Sequence, residues 1–527
     1  MYRDGQEAGH FAILESLGGG VALFDCDADG DLDLYIPGGG RFDQTPSPQP
    51  LPGALYINHG QNGFLDRTAA ADLETVRIYN HGAAANDFDA DGFPDLLLTG
   101  YGGLMLYHNQ GDGTFQELTQ ASGLTDTLWS SSAAWGDFNG DGHLDLFVAH
   151  YVDWSFENDP HCPGPTPNEP REVCSPRRFN GLPDTLYLSN GDGTFRDASI
   201  PAGLRQAGKG DDNADKGLGV VLADVDLDGD LDAYVGNDTV PNFLYQNEGP
   251  QPDGGVLLTE RGLRSGTALS DRGTPDGSMG VDVADFNLDG RPDLWVVNYE
   301  RESIALYRND GASKGSTFFT YVSQMTGLTN VGGLFVGWGT GFFDFDRDGD
   351  EDVYVANGHV IRYPQNGKVE QVPLLLENLA GKRFVNVAPQ AGEYLQQPHR
   401  GRGLAVGDLD DDGDIDLVLS NVNEPAAVLL NETPNRNNWL CLALVGTRSN
   451  RQAIGASIQV TCGSATQLRL IKGGSSYAST SDMRAFFGLG QAAAVEKIDI
   501  LWPSGTRQVL DGLACNQMHV IVEPGAD

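Results

Sequence analysis

The chain has 527 residues, of which 40% are hydrophobic and 70 are glycine, and its formal net charge is −41. A polyanion of this kind is excluded from ordinary nucleic-acid binding, which rests on lysine and arginine, and no run of about 18 apolar residues exists to span a membrane. Many short strands joined by tight turns, in an all-β fold, suit so much glycine over this length.

Residues 1–10 lack the basic and apolar pattern of a signal peptide. Either the protein is cytoplasmic or a leader has been removed. The first organised stretch is Asp25-Cys26-Asp27-Ala28-Asp29-Gly30-Asp31-Leu32-Asp33, and close copies open at Asp87, Asp137, Asp224, Asp285, Asp344 and Asp408. Each reads D-x-[DN]-x-D-G-x-x-D before an apolar run. Alternating carboxylates or amides, a glycine for the turn, a backbone carbonyl and a last Asp are the oxygen set that a hard cation such as Ca²⁺ takes.

In the first loop the expected ligands are Asp25, Asp27, Asp29 and Asp33, with the carbonyl of Asp31. The second set is Asp87, Asp89, Asp91, Phe93 (carbonyl) and Asp95; the third is Asp137, Asn139, Asp141, His143 (carbonyl) and Asp145. The fourth is Asp224, Asp226, Asp228, Asp230 (carbonyl) and Asp232, and the fifth Asp285, Asn287, Asp289, Arg291 (carbonyl) and Asp293. The last two are Asp344, Asp346, Asp348, Asp350 (carbonyl) and Asp352, then Asp408, Asp410, Asp412, Asp414 (carbonyl) and Asp416. Asn at 139 and 287 removes charge, which predicts the two weakest sites. Seven bound Ca²⁺ would take the formal charge from −41 to −27, so folding and metal binding are expected to be coupled.

The loops begin 62, 50, 87, 61, 59 and 64 residues apart, a period that fits propeller blades or, as the alternative, a solenoid array. A short apolar strand precedes each loop and a second follows it. A third comes as Leu-Tyr-x-Asn, at Leu55-Tyr56, Leu106-Tyr107, Leu244-Tyr245 and Leu306-Tyr307, and a fourth begins at Phe115 or Phe195 after a Gly-Asp-Gly turn. Four antiparallel strands make a blade, and seven units make a seven-bladed β-propeller over residues 1–434.

The long third interval holds an insertion, residues 153–184, rich in Pro, Arg and Glu. Cys162 and Cys174 flank its proline-rich part and form either a disulfide or two free thiols. Cys441 and Cys462 sit on neighbouring expected strands, and Cys26 and Cys515 have no evident partner. The seventh unit stops after Leu429-Leu430-Asn431 without a fourth strand, for which residues 10–15 are a candidate closure. From 435 to 527 the loops end. Strands at 439–445, 456–462, 467–471, 495–501 and 518–522 then predict a small β-sandwich-like domain.

These residues resemble the cartilage acidic protein family, built from FG-GAP/VCBS-type repeats and a C-terminal ASPIC/UnbV domain. The resemblance rests on Gly217-Leu218-Gly219-Val220, Asn237-Asp238-Thr239-Val240-Pro241-Asn242-Phe243-Leu244-Tyr245, Asn357-Gly358-His359 and Arg400-Gly401-Arg402-Gly403. In the last domain it rests on Asn435-Arg436-Asn437-Asn438-Trp439-Leu440, Ser449-Asn450-Arg451-Gln452-Ala453-Ile454-Gly455-Ala456, Phe487-Gly488-Leu489-Gly490 and Trp502-Pro503-Ser504-Gly505. It implies an integrin α-like propeller with calcium in the loops, on an exported protein. The chain departs from the family at its start, where an outer strand for the last blade is missing, and at Cys26, where an aromatic is usual.

If the loops join first and second strands at one rim, the other strand ends converge near the axis on the opposite face. Polar residues gather there: Asn80, His81, His150, Tyr151, Asp153, Lys216, Asn237, Asp238, Asn298, Tyr299, Asn357, His359, Arg400, Arg402 and Asn421. Two functions follow. One is a calcium-stabilised, secreted binding protein that holds a protein or glycan on that face. The alternative is a calcium-dependent enzyme, a cyclase or hydrolase acting on a small molecule with His81, His150, Asp153, His359 and Arg402 as acid, base and anchoring groups.

Overall fold

The computed structural model describes residues 1–43, 47–205, 215–434, 436–463 and 465–525. Asn435, the expected start of the second domain, lies outside them. Seven sheets follow one another along the chain, and each is entered through a first strand that ends in an acidic loop. The first strands are Ala22–Phe24, Tyr79–Asn86, Ser130–Gly136, Gly217–Ala223, Ser278–Ala284, Gly337–Phe343 and Gly401–Gly407. Each neighbours the next, and the last returns to the first, so the sheets radiate from a closed ring as in a β-propeller.

Within a sheet the chain moves outward by antiparallel pairing, as in Asp145–His150, Thr185–Ser189 and Phe195–Asp197 of the third. Inner strands are buried on both faces and carry near-continuous small or apolar residues. Burial of Leu146, Phe147, Val148 and Ala149 in one cluster with Leu97 of the second sheet and Val220 of the fourth is typical of the packing between sheets.

Among the described residues the seventh sheet has three strands, Gly401–Gly407, Asp416–Asn421 and Ala427–Leu429. Residues 10–15 do not complete it. Ile13–Ser16 form a 3₁₀ turn that buries Ile13 and Leu14 together with Leu17, a spacing that suits a helical turn and not an alternating strand. The N-terminal strand is instead Arg3–Asp4, which pairs in parallel with Gly39–Phe42, beside the second sheet. Tyr2 bridges Val422, so the first residues staple the seventh sheet to the second.

The C-terminal region forms two sheets, Asn438–Val445 with Ala485–Gly490 and Met518–Val522, and Ser457–Cys462 with Ala465–Leu470, Lys497–Leu501 and Arg507–Leu510. Cys441 and Cys462 lie on different sheets and both are free thiols, as are Cys26 and Cys515. Cys162 and Cys174 are joined, with Cα atoms 5.4 Å apart. The C-terminal core is continuous with that of the second to fourth sheets, where Leu222 and Leu231 share a cluster with Ile454 and Trp502.

Candidate metal centres and the closed axis

The seven acidic loops share one backbone path. Position four has positive φ at Ala28, Ala90, Gly140, Leu227, Leu288, Arg347 and Asp411, and so does the glycine two residues later. Here the glycine is needed, since Gly30, Gly92 and Gly229 have φ of 99°, 104° and 107°. The path folds amides onto the first carboxylate: Asp29 N donates to Asp25 Oδ1 (3.2 Å) and Gly30 N to Asp25 Oδ2 (3.0 Å).

The ninth position is a buried tie. Asp33 accepts the Cys26 amide at 3.0 Å and the Asn58 amide at 2.8 Å, and Asp95 accepts those of Phe88 and Asn109. It thus fixes the loop to its own second position and to the third strand. Carboxylate oxygens come within 4.8 Å of one another in Asp25, Asp27 and Asp29, in Asp87, Asp89 and Asp95, in Asp224, Asp226 and Asp232, and in Asp344, Asp346 and Asp348. The hydrogen-bonding side chain of Asp408, 4% exposed, keeps Oδ1 without a protein partner.

Burial dominates the electrostatics. Loss of solvation pushes the carboxyls of Asp33, Asp87 and Asp137 up to about 6, Asp224 and Asp285 to about 7, Asp344 to about 8 and Asp95 to about 9. Neighbouring acids raise many of them further. Clustered carboxylates that are costly to ionise, with one buried oxygen unpaired, fit a divalent cation held by the first, third, fifth and ninth side chains. The ion would supply charge balance and cross-linking.

Two residues not singled out in the sequence, and the side chain of Arg291, expected only through its carbonyl, join these loops. His108 Nδ1 lies 3.0 Å from Asp95 Oδ1, Gln246 Nε2 donates to Asp226 Oδ2 at 2.6 Å, and Arg291 donates to Asp289 Oδ2 at 2.7 Å. The x of Leu-Tyr-x-Asn at 108 and 246 was the available signal, because it lies beside the loop on the third strand.

The C-terminal domain sits on this loop end. Arg451 Nε is 3.5 Å from Asp87 Oδ2, Arg484 donates to Asp408 O at 3.0 Å, and Trp439 lies so close over Gly413 that a Cβ there would come within 1.9 Å of the indole. From this platform residues 473–482 run into the ring and bond to all seven first strands or the residues leading into them. Gly473–Gly474 pair with Val221 and Leu222, and Ser476 exchanges amide bonds with Val281. Ala478 O accepts Ala83 N, Thr480 exchanges bonds with Val21 and Leu23, and Asp482 N donates to Val406 O. Ala478 N meets Ser132 Oγ, and Thr340 N meets Ser476 Oγ. A Cβ on Gly20 would lie 1.8 Å from Ala478 O, so the ring is lined for this insert.

At its tip Tyr477 is fully buried, accepts Gly18 N at 2.9 Å and meets Trp338 edge-on at 4.7 Å. Most of the polar residues expected as an open axial site therefore lie in a packed interior, with Asp153, Asp238 and Tyr299 partly exposed. His81 and His150 are fully buried; His81 Nδ1 faces Tyr2 OH at 2.9 Å, and burial pushes its pKa down to about 3. His150 Nε2 pairs with Asp126 Oδ2 at 2.5 Å.

His359 is buried 3.7 Å from Glu300, with burial lowering its pKa. Arg402 lies 4.3 Å over Trp338 and donates to the carbonyls of Gly358 and Gly401. Asp153 accepts both the amide and the side-chain nitrogen of Asn180, closing the base of the insertion. The others act as ties between segments: Asn80 to Gly38 and Leu51, Tyr151 to Asp238, Lys216 to Pro176 and Arg400 to Asp4. Residues 1–20, the 153–184 insertion and residues 359–363 cover this face, joined where Glu172 accepts the amides of Arg362 and Tyr363. These five candidates are not gathered around an open cleft.

Two stretches of the chain, 87–148 and 285–355, match the FG-GAP-like repeat, and residues 446–527 match the ASPIC and UnbV family. Cartilage acidic protein 1 of Mus musculus is 25% identical over 532 residues, covering 96% of this chain and 73% of that protein. The Homo sapiens protein of the same name is 24% identical over 536 residues, covering 96% and 71%. A solved Agrocybe aegerita lectin, which recognises non-reducing terminal N-acetylglucosamine, aligns over 70% of this chain and 79% of its own at 16% identity and a TM-score of 0.39. The resemblance to the cartilage acidic proteins thus extends along nearly the whole chain. No helix among the described residues is long and apolar enough to cross a membrane.

Proposed function

We propose that this relative of the cartilage acidic proteins is an exported, calcium-stabilised propeller with seven structural metal sites, and that it binds a protein or glycan through the covered face opposite the acidic loops. The observation that carries the metal reading is the carboxylate clusters of four loops, buried or partly buried, with Asp408 Oδ1 unpaired at the head of the seventh loop. Export is supported by the Cys162–Cys174 bond, which persists in oxidising compartments, and by loop sites of a kind that fills at extracellular calcium levels.

The axial insert favours a binding role over the enzyme alternative, because residues 473–482 occupy the position where a substrate would have to reach the axial groups. Exposed side chains on the covered face include Glu157, His161, Arg177 and Arg178, and these are offered to a partner. Metal content of the purified protein by plasma mass spectrometry, with melting before and after EDTA, tests the first part. A protein free of calcium after dialysis against millimolar Ca²⁺, with an unchanged melt in EDTA, would refute it. For the second part, glycan-array and ligand-capture signals should disappear in the Arg177→Glu/Arg178→Glu variant at an unaltered melting temperature. Signals kept in full would move the binding surface elsewhere.

A further inference from the structure

A cavity of about 120 Å³ lies where the C-terminal domain meets the ring, beside the entry of the axial insert. On the ring side its walls are the first strands of the fifth, sixth and seventh sheets, through Ala284, Phe342 and Val406. On the other side they are residues that lead into and out of the insert, such as Leu468 and Phe486. Asn86, which ends the first strand of the second sheet, reaches it too.

The charges around this cavity are matched to one another. Lys472 Nζ donates to Asp282 Oδ1 at 2.5 Å, Arg469 Nε lies 3.2 Å from Glu351 Oε1, and Arg484 Nε donates to Asp482 Oδ2 at 2.7 Å. Asp285 and Asp344 also border the cavity, but their carboxylates accept amides of their own loops, from Asp289 and Gly290 and from Asp348 and Gly349. A charged occupant would be desolvated here without a partner of its own, which is costly.

Two oxygens are left over. Glu351 and Asn86 are 7% and 5% exposed, and Glu351 Oε2 and Asn86 Oδ1 have no hydrogen-bond partner among the described residues. A carboxylate or amide oxygen can only accept, and a buried acceptor without a donor costs stability. The occupant must therefore bring hydrogens.

Much of the remaining wall is apolar, with Phe343, Ile415, Leu468, Met483 and Phe486. Water needs several polar partners, and an apolar cavity of similar size stays dry and takes up benzene. Water thus suits the two oxygens and not the wall, whereas a ring bearing hydroxyls suits both.

We propose that this cavity is a binding site for a small neutral ring compound with two hydroxyls, which donate to Glu351 Oε2 and Asn86 Oδ1 while the ring packs on Phe343, Met483 and Phe486. The site is built jointly by the ring of sheets and the C-terminal domain. It lies at the loop end, so it stands independently of partner binding on the covered face.

The test titrates the full chain, in millimolar Ca²⁺, with catechol, resorcinol and hydroquinone, whose hydroxyls differ in spacing, and with phenol and benzylamine. Ligand NMR line widths report binding. The isomer whose spacing suits both oxygens should saturate with Kd below about 1 mM and bind at least about tenfold tighter than phenol. Glu351→Gln leaves an oxygen for Arg469 and turns an amide nitrogen into the cavity, so it should weaken that isomer at least about tenfold with an unchanged melt. If this variant fails to fold, Asn86→Val replaces it, with about a fivefold loss expected. No saturation by any isomer at about 10 mM, phenol as tight as the best of them, or a variant that binds as the original does overturns the proposal. Tighter binding of benzylamine would overturn it in favour of a cationic ligand, and a crystal soaked in the best isomer that shows only ordered water in the cavity would overturn it in favour of water.

Discussion

The two ends of the same strands are built on opposite plans. At the loop end every sheet repeats one short, local pattern of acids, whose first and ninth carboxylates take backbone amides from within the loop and from the third strand of the same sheet. At the covered end four sheets repeat an Asn that closes the second strand, Asn237, Asn298, Asn357 and Asn421, each bonded to the carbonyl two residues before its own third strand. The other polar residues there differ from sheet to sheet, and their bonds run to distant parts of the chain, such as Tyr2 to His81 and Arg400 to Asp4. Repetition marks a fastener used seven times. Unique polar residues mark the places where the termini and the insertion are sewn to the ring.

The largest effect expected from this contrast is at the loop end. EDTA should lower the melting temperature by at least about 10 °C, since even one site at a thousandfold over its Kd adds about 4 kcal/mol. Calcium added back should restore it. Chelation that spared the loop end and loosened only the covered end would reverse the comparison.

Next comes the axial insert. Tyr477→Ala removes a fully buried ring from against Trp338 and the hydroxyl that holds Gly18 N, which should cost about 3 to 5 kcal/mol in denaturant unfolding. The calcium stoichiometry should stay unchanged, because the side chain touches no loop. A loss of bound metal in this variant would show that the two ends are coupled through the insert.

The loop end was legible because its chemistry is local. Seven Asp patterns at blade spacing predict the sheets, and the Leu-Tyr-x-Asn signal places their third strands. The insert was not legible, because Gly473 to Thr480 are, apart from Tyr477, small residues with no period and read as a turn. Their meaning appears only when Gly20 and Ser132 are brought alongside from hundreds of residues away. His81, His359 and Arg402 looked like an active site for a related reason. A polar residue at a strand end has the same appearance in sequence whether it faces solvent or ties down an N-terminal segment.

A smaller effect separates the metal-free from the loaded protein by pH. The raised carboxyls at Asp33, Asp87, Asp224, Asp344 and Asp95 bind protons in the folded chain up to about 6, 6, 7, 8 and 9. In the unfolded chain they release them near 4. Between those limits the folded state holds more protons, so metal-free stability is greatest near pH 4 and falls as the pH rises towards 9. Loaded with calcium, the same carboxylates are held ionised, and acid instead competes with the metal. Melting curves in EDTA and in excess Ca²⁺ should therefore slope in opposite directions. Parallel slopes would remove the loops as the origin of the pH dependence.

The smallest effect lies within the loop end itself, at the two loops with Asn in third place. Replacing Asn by Asp adds a charged ligand and should tighten calcium about two- to fivefold in a loop of this kind. The two positions differ in what the amide already does. Asn287 Nδ2 donates only to Asp289 Oδ2 (3.0 Å), inside the loop, whereas Asn139 Nδ2 also reaches Gly254 O at 3.1 Å, tying the third sheet to the fourth. Asn287→Asp should raise the melting temperature at limiting calcium. Asn139→Asp gains the same ligand but takes from Gly254 O the shorter of its two donors, leaving Arg196 Nη2 at 3.5 Å, so its gain should be visibly smaller. Equal shifts would mean that the inter-sheet bond contributes nothing, and that even at this end each loop behaves as an independent fastener.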